Sequence, residues 1–211
     1  MESDLDLPCP SCNEKGSLKM LSLSSEIPYF GEHTQITISC KSCGMRQTDF
    51  IPSDERGALS YTLSIENLEH LNARVVRGPS GTLRIPELDL EASPGNQATG
   101  YVTNIEGVII RFIDIVRMMM RQLVSDIDSD DNAEDAQIRL ELLMQLEIAL
   151  IALKNGELFG DLSLEILDPK GHSIIAHEDA IKRELSDEEI SNLDPGPKSL
   201  IMSSDDLENN K

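Results

Sequence analysis

The sequence predicts a mainly β fold, interrupted once by a helical hairpin and preceded by a small cysteine-bearing module. Three observations carry this expectation. Short runs on both sides of the chain's middle alternate apolar and polar residues with period 2, two long apolar stretches flank an acidic linker, and the four cysteines stand near the N-terminus as two C-x2-C pairs.

At 211 residues the chain is long enough to bury a core without staples. That core must be built from Leu, Ile, Val and Met, because aromatics make up 3% and Trp is absent. The formal charge is −20, from 18 basic and 38 acidic residues. Nucleic acids are polyanions bound chiefly through Lys and Arg, so this balance argues against a general nucleic-acid binder and equally against an anionic membrane surface. MESDLDLP lacks the basic and apolar regions of a secretory signal, and no apolar run is long enough to span a bilayer. The expectation is a cytoplasmic protein with reduced thiols and no membrane association.

Residues 1–8 read as a flexible acidic lead. From 9 to 50 the chain reads as short strands around the cysteine pairs: Leu18 and Met20, then Ile36, Ile38 and Cys40, alternate with polar neighbours, and EIPYFGEHT supplies the turn between them. The second domain is expected over 51–180. Its first part is strand-like and punctuated by Gly and Pro, with the GPSG turn joining two strands between Asn72 and Ile85. Pro86 and Pro94 belong at strand ends, since they cannot donate to a ladder.

The pattern changes at Glu106. EGVIIRFIDIVRMMMRQLV carries apolar residues around most of a helical circumference, with Arg111, Asp114, Arg117 and Arg121 in one narrow polar stripe. A second helix is expected from about Ala133 to Asn155, closed by Gly156 in a left-handed conformation. The short linker SDIDSDDN makes the pair an antiparallel hairpin inserted at about 106–155. Strands resume at LSLEILDPKGHSIIAH, turning at DPKG. The segment 181–211 is rich in charge, Pro, Gly and Ser and reads as an acidic, disordered tail.

The cysteines carry the clearest chemistry. Zn2+ takes four tetrahedral ligands, and a C-x2-C turn offers two thiolates to one ion. The pairs Cys9/Cys12 and Cys40/Cys43 are followed by Asn13 and Gly44, the residue types that most readily adopt positive φ. Disulfides suit a secreted protein, a thioredoxin-like motif is single and precedes a helix, and iron–sulfur spacings differ. Spacing therefore favours one zinc ion. Four Cys ligands leave no position for water or substrate, so the zinc is structural.

Other motifs are weaker. Asp126, Asp128 and Asp130 resemble the start of a calcium loop, but Asp131 and Gln137 stand where an EF-hand needs Gly and Glu. The four histidines are scattered without metal-ligand spacing, and no nucleophile elbow, P-loop or dinucleotide fingerprint occurs.

CPSC and CKSC at this spacing, IPYFGEH at 27–33, RIPELDLEASPG at 84–95, YVTNIEGVI at 101–109 and LDPKGHSII at 167–175 together resemble the Zpr-one zinc-finger protein family. The resemblance covers roughly 8–178. It implies a zinc ribbon like that of translation initiation factor two beta, followed by a double-stranded β-helix, jelly-roll-like, with an inserted helical hairpin. Eukaryotic members carry two such units in tandem; this chain has one, like the shorter archaeal relatives. The resemblance also implies binding, and in eukaryotes assisted folding, of translation elongation factor one-alpha, and no enzymatic activity. Two positions depart from the family: Asn104 stands for a Thr, and His172 for an Asn.

Both helices are apolar over more than one contact face requires. Met118, Met119 and Met120 with Leu142, Leu143 and Leu146 are the candidates for a partner-binding face. Packing wholly on the chain's own β domain is the alternative. As a whole the sequence points to a non-enzymatic zinc-binding protein that binds and chaperones the translational GTPase. The rival class is a zinc-ribbon nucleic-acid or ribosome-binding module in translation or transcription. A metal enzyme in the β-helix lumen ranks last.

Overall fold

The structure is a computed structural model that describes residues 2–27, 31–52, 57–96, 98–127, 133–157 and 159–196. The expected IPYFG turn, the acidic hairpin tip and the last part of the tail fall largely outside these residues.

The N-terminal sheet has the order β1-β2-β3-β4, from Glu2–Leu5, Leu18–Ile27, Gly31–Cys40 and Arg46–Pro52. All neighbours are antiparallel, with Leu18 opposite Cys40 and Met20 opposite Ile38. The period-2 reading is realised on one face, where Leu18, Ile38, Cys9 and Cys40 are buried together and Met20, Ile36 and Leu5 pack around them. The lead is not loose. Residues 2–5 form an edge strand, because Leu5 joins this small core and Glu2 and Asp4 pair with Lys19 and Lys41.

The second domain is a jelly-roll of two sheets over one core. The larger sheet has the order β12-β5-β10-β7-β8, from Ile181–Glu184, Leu59–Ser64, Ser163–Asp168, Thr82–Ile85 and Leu90–Ala92. The smaller has the order β11-β6-β9, from Ile174–Ala176, Arg74–Arg77 and Tyr101–Asn104. Leu63, Leu83, Leu164 and Ile166 of one sheet and Val75, Val76, Ile174 and Ile175 of the other belong to the same buried cluster. A short helix α1 (Leu68–Asn72) leads into β6, capped by the Asn67 side chain.

The GPSG and DPKG turns are where expected, but neither closes a hairpin. β6 and β7 lie in different sheets, and so do β10 and β11. Both turns carry the chain between sheets, and they meet. Asp168, 1% exposed, accepts hydrogen bonds from Ser80 Oγ (2.6 Å), from the Lys170 amide (2.9 Å) and from Ser173 Oγ, while Ser173 Oγ accepts from the Gly78 amide (2.8 Å). Contact is close enough that a Cβ on Gly81 would lie 2.6 Å from Ser173 Oγ and one on Gly78 2.9 Å from His172 Cβ.

Helices α2 (Ile105–Ile127) and α3 (Ala133–Lys154) form the inserted hairpin. α2 begins at Asn104, whose Oδ1 accepts from the Gly107 amide (2.9 Å). The Thr-to-Asn departure thus exchanges one helix cap for another. Ile105, Val108, Ile109, Phe112 and Val116 seal the jelly-roll core, and Arg111, Asp114, Arg117 and Arg121 face outward as the stripe predicts. Arg117 Nε reaches Glu147 Oε1 of α3 at 2.6 Å. α3 ends in paired bonds from the Gly156 amide to Leu153 O and from the Glu157 amide to Ala152 O, with Gly156 at φ +83.

The start of the expected tail is also folded. β12 pairs with β5, and α4 (Asp187–Asn192) follows with a capping box between Ser186 and Glu189. The low-complexity composition hid two apolar anchors: Leu185 and Leu193 pack on Leu167 in a satellite core. The Arg183 guanidinium, followed by the Ser186 amide and hydroxyl, holds the Glu189 carboxyl down at about 2.

Two expectations arise from these ties. Asp168→Ala, which strands two hydroxyls and an amide, lowers the unfolding free energy by about 3 kcal/mol in urea titrations. The Glu189 carboxyl titrates near 2 rather than near 4.5 by NMR. Because its folded value is depressed, its contribution to the terminal segment is complete above pH 4.5 and is lost as pH falls toward 2.

Candidate metal centre and hairpin surface

The two C-x2-C turns are built alike. The Cys9 amide bonds to Glu14 O (2.9 Å) and the Asn13 amide to Cys9 O (2.7 Å); the Cys40 amide bonds to Met45 O (2.8 Å) and the Gly44 amide to Cys40 O (3.0 Å). Asn13 and Gly44, at φ 61 and 74, occupy the equivalent left-handed position in each turn, as their residue types predict.

The turns bring all four sulfurs within 4.8 Å of one another, with Cys9 Sγ 3.8 Å from Cys43 Sγ and Cys12 Sγ 3.7 Å from Cys40 Sγ. A tetrahedron of thiolates at about 2.3 Å from zinc has edges of about 3.8 Å, so the donor set fits the ion. Cys9 and Cys40 are buried, whereas Cys12 and Cys43 face solvent. These cysteines hold a structural zinc ion.

One contributor gave no signal in the sequence. Ser17, 5% exposed, places its hydroxyl 3.2 Å from Cys40 Sγ. This hydroxyl, followed by the Cys43 and Ser42 amides, lowers the Cys40 thiol to about 6. At Cys12 the Glu14 amide acts downward, but desolvation and the three neighbouring thiols push the group up to about 12. Four clustered sulfurs cannot all ionise by themselves. A divalent cation supplies the charge that allows it.

A second group, His70, His177 and Asp179, also gathers its donor atoms within 4.8 Å. His177 Nδ1 already accepts the Asp179 amide (3.2 Å), and His70 Nε2 faces Asp179 Oδ2 (3.2 Å). All three candidate ligand atoms are already engaged within the group, which ties α1 to the β11–β12 connection.

The ribbon touches the jelly-roll through the Gly100 amide, bonded to Thr48 O (2.8 Å), and through His172 Nδ1, 3.6 Å from Asp49 Oδ1 of β4. His172, one of the two departures from the family pattern, thus faces the other module at a separation longer than a hydrogen bond.

The six hairpin residues divide. Met118 and Met119 are each 46% exposed and Leu142 is 60% exposed, whereas Met120, Leu143 and Leu146 pack against the jelly-roll core. Met119, Leu142, Leu143 and Leu146 line a cleft of about 940 Å3 whose other wall is the turn Pro86–Asp89. The IPELD block and the hairpin thus share one surface, which neither shows alone. Ile138, Met144 and Ile148 are further exposed apolar residues of α3, but Met144 and Ile148 project away from the cleft side.

Residues 3–54 match the sequence model of the ZPR1 zinc-finger domain, and residues 69–193 that of the ZPR1 jelly-roll domain. The chain belongs to the ZPR1 family. It is 37% identical over 194 residues to an uncharacterized ZPR1-like protein of Pyrococcus horikoshii, covering 92% of this chain and 82% of the relative. A second uncharacterized ZPR1-like protein, from Methanocaldococcus jannaschii, is 35% identical over 196 residues, 93% of this chain and 92% of the relative. The zinc finger chaperone zpr1 of Schizosaccharomyces pombe is 32% identical over 108 residues, 50% of this chain and 22% of that protein. Among the described residues no helix is long and apolar enough to cross a membrane.

Metal analysis of the purified protein is expected to return one zinc per chain and none in Cys40→Ser. Ser17→Ala retains zinc but weakens it about tenfold in a chelator competition, the loss associated with removing an outer hydrogen bond to a ligand.

Proposed function

We propose that this ZPR1-type protein is a cytoplasmic, non-enzymatic chaperone that binds a translational GTPase, elongation factor one-alpha. The observation that carries the reading is the outer hairpin surface: Met118, Met119 and Leu142 are exposed beside a cleft formed with the Pro86–Asp89 turn. Apolar surface of this kind on a chain this acidic is suited to a protein partner rather than to solvent. Methionines add adaptability, since their unbranched side chains conform to irregular surfaces. The name of the fission-yeast relative, a zinc finger chaperone, and the family resemblance of the sequence blocks support the same reading. The zinc ribbon supplies a second rigid surface, and the net charge of −20 steers the protein toward a basic partner face.

Pull-down with the tagged chain from native cytosol is expected to recover the elongation factor. Met119→Asp with Leu142→Asp reduces recovery at least about tenfold, a few buried contacts in an apolar interface, while zinc content and melting temperature stay unchanged. Recovery that is indifferent both to this pair and to Cys40→Ser would overturn the assignment. Submicromolar RNA binding with a steep salt dependence would instead favour the nucleic-acid module.

A further inference from the structure

A second cleft, of about 400 Å3, lies where β8 and β9, the edge strands of the two sheets, meet the first half of α2. It shares no lining residue with the hairpin cleft. Its polar wall is Arg77 from β6, Tyr101 from β9 and Arg111 from α2; Leu83 and Phe112 contribute to the apolar wall.

Arg77 is 8% exposed. Its Nε donates to Gly81 O (2.8 Å), which fixes the guanidinium, and its terminal amino groups have no hydrogen-bond or ion-pair partner among the described residues. Arg111 lies over the Tyr101 ring at 4.2 Å, and Arg77 approaches the same ring at 5.6 Å. Burial lowers the Arg77 pKa, and Arg111 lowers it further, with Tyr101 and Asp168 acting the other way. The Asp168 carboxylate is already engaged by Ser80, Ser173 and the Lys170 amide. Asp114 also lines the cleft, but it forms no ion pair with either guanidinium among the described residues. Burial raises the Tyr101 hydroxyl, the largest effect on it, so it stays a donor at neutral pH.

The chain thus converges two guanidiniums and a phenol on one cleft while having only 18 basic residues against 38 acidic ones. The terminal donors of this nine-tenths buried Arg77 guanidinium are not sealed from solvent, so water or a ligand in the cleft completes their hydrogen bonds. The planar fork of a guanidinium is matched by the paired oxygens of a carboxylate or a phosphate. We propose that this cleft binds an oxyanion carried on a short apolar stem, with Arg77 and Arg111 holding the head, Tyr101 donating to it, and Leu83 and Phe112 contacting the stem.

The test titrates the full-length zinc-loaded protein with inorganic phosphate and with hexanoate, using hexylamine as the control, and follows backbone amide shifts of β6, β9 and α2. Saturable shifts with either anion and none with hexylamine are expected. Hexanoate binding tighter than phosphate identifies a carboxylate on a stem, and the reverse order a phosphate head; both support the site. Arg111→Gln, an exposed position, weakens binding at least about tenfold, the loss of one charge-assisted bidentate contact. The same variant leaves elongation-factor recovery unchanged, which separates this site from the hairpin reading. No saturation with either anion, or equal affinity in Arg111→Gln, would overturn the proposal.

Discussion

Two chain reversals meet at one buried carboxylate, and the jelly-roll closes because they do. The GPSG and DPKG turns each carry the chain from one sheet to the other, so neither is stabilised by a hairpin ladder of its own. Asp168 bonds to Ser80 in one turn and to Ser173 and the Lys170 amide in the other, which fixes the spacing of the sheets at that end. A buried carboxylate is expensive unless several donors satisfy it, and here three do. The interior and the arginine cleft both depend on that closure. β6 and β7 are held apart to admit the α2 core residues, and Arg77, at the end of β6, is aimed at the cleft that Arg111 completes.

The zinc site plays the corresponding part in the N-terminal module. Its apolar core is four buried residues, two of them cysteines, and is too small to hold a sheet of four strands unaided. A zinc ion held by the four cysteines would link the two turns, and the Ser17 hydroxyl, 3.2 Å from Cys40 Sγ, would orient that ligand. Because Thr48 and Asp49 touch Gly100 and His172, the metal-held sheet is also placed against the jelly-roll. A structural ion at that place orders a surface.

What the sequence revealed was local. The zinc turns were legible because spacing and the positive-φ residues Asn13 and Gly44 are features of a few consecutive positions, and the hairpin because its periodicity runs over long helices. Sheet membership was not, since β5 pairs with β10, roughly a hundred residues away, and with the still more distant β12, and no local pattern encodes those pairings. The acidic ends misled for a related reason: charge dominated the composition of residues 2–5 and 181–193, while single apolar anchors, Leu5, Leu185 and Leu193, decided their packing. Ser17 and the arginine cleft were invisible because their partners come from separate elements. Of the six hairpin residues, periodicity could find the apolar set but not which of them the jelly-roll would cover.

The central claim is that an acidic, zinc-held scaffold presents one hairpin face to a protein client. Hydrogen exchange of the zinc-loaded chain, alone and with purified elongation factor one-alpha, tests it most directly. The account predicts protection on α2 and α3 around Met118, Met119 and Leu142 and on the two cysteine turns, with the outer strands of the jelly-roll unchanged. Protection confined to the jelly-roll sheets, or no change with saturating factor, would contradict it.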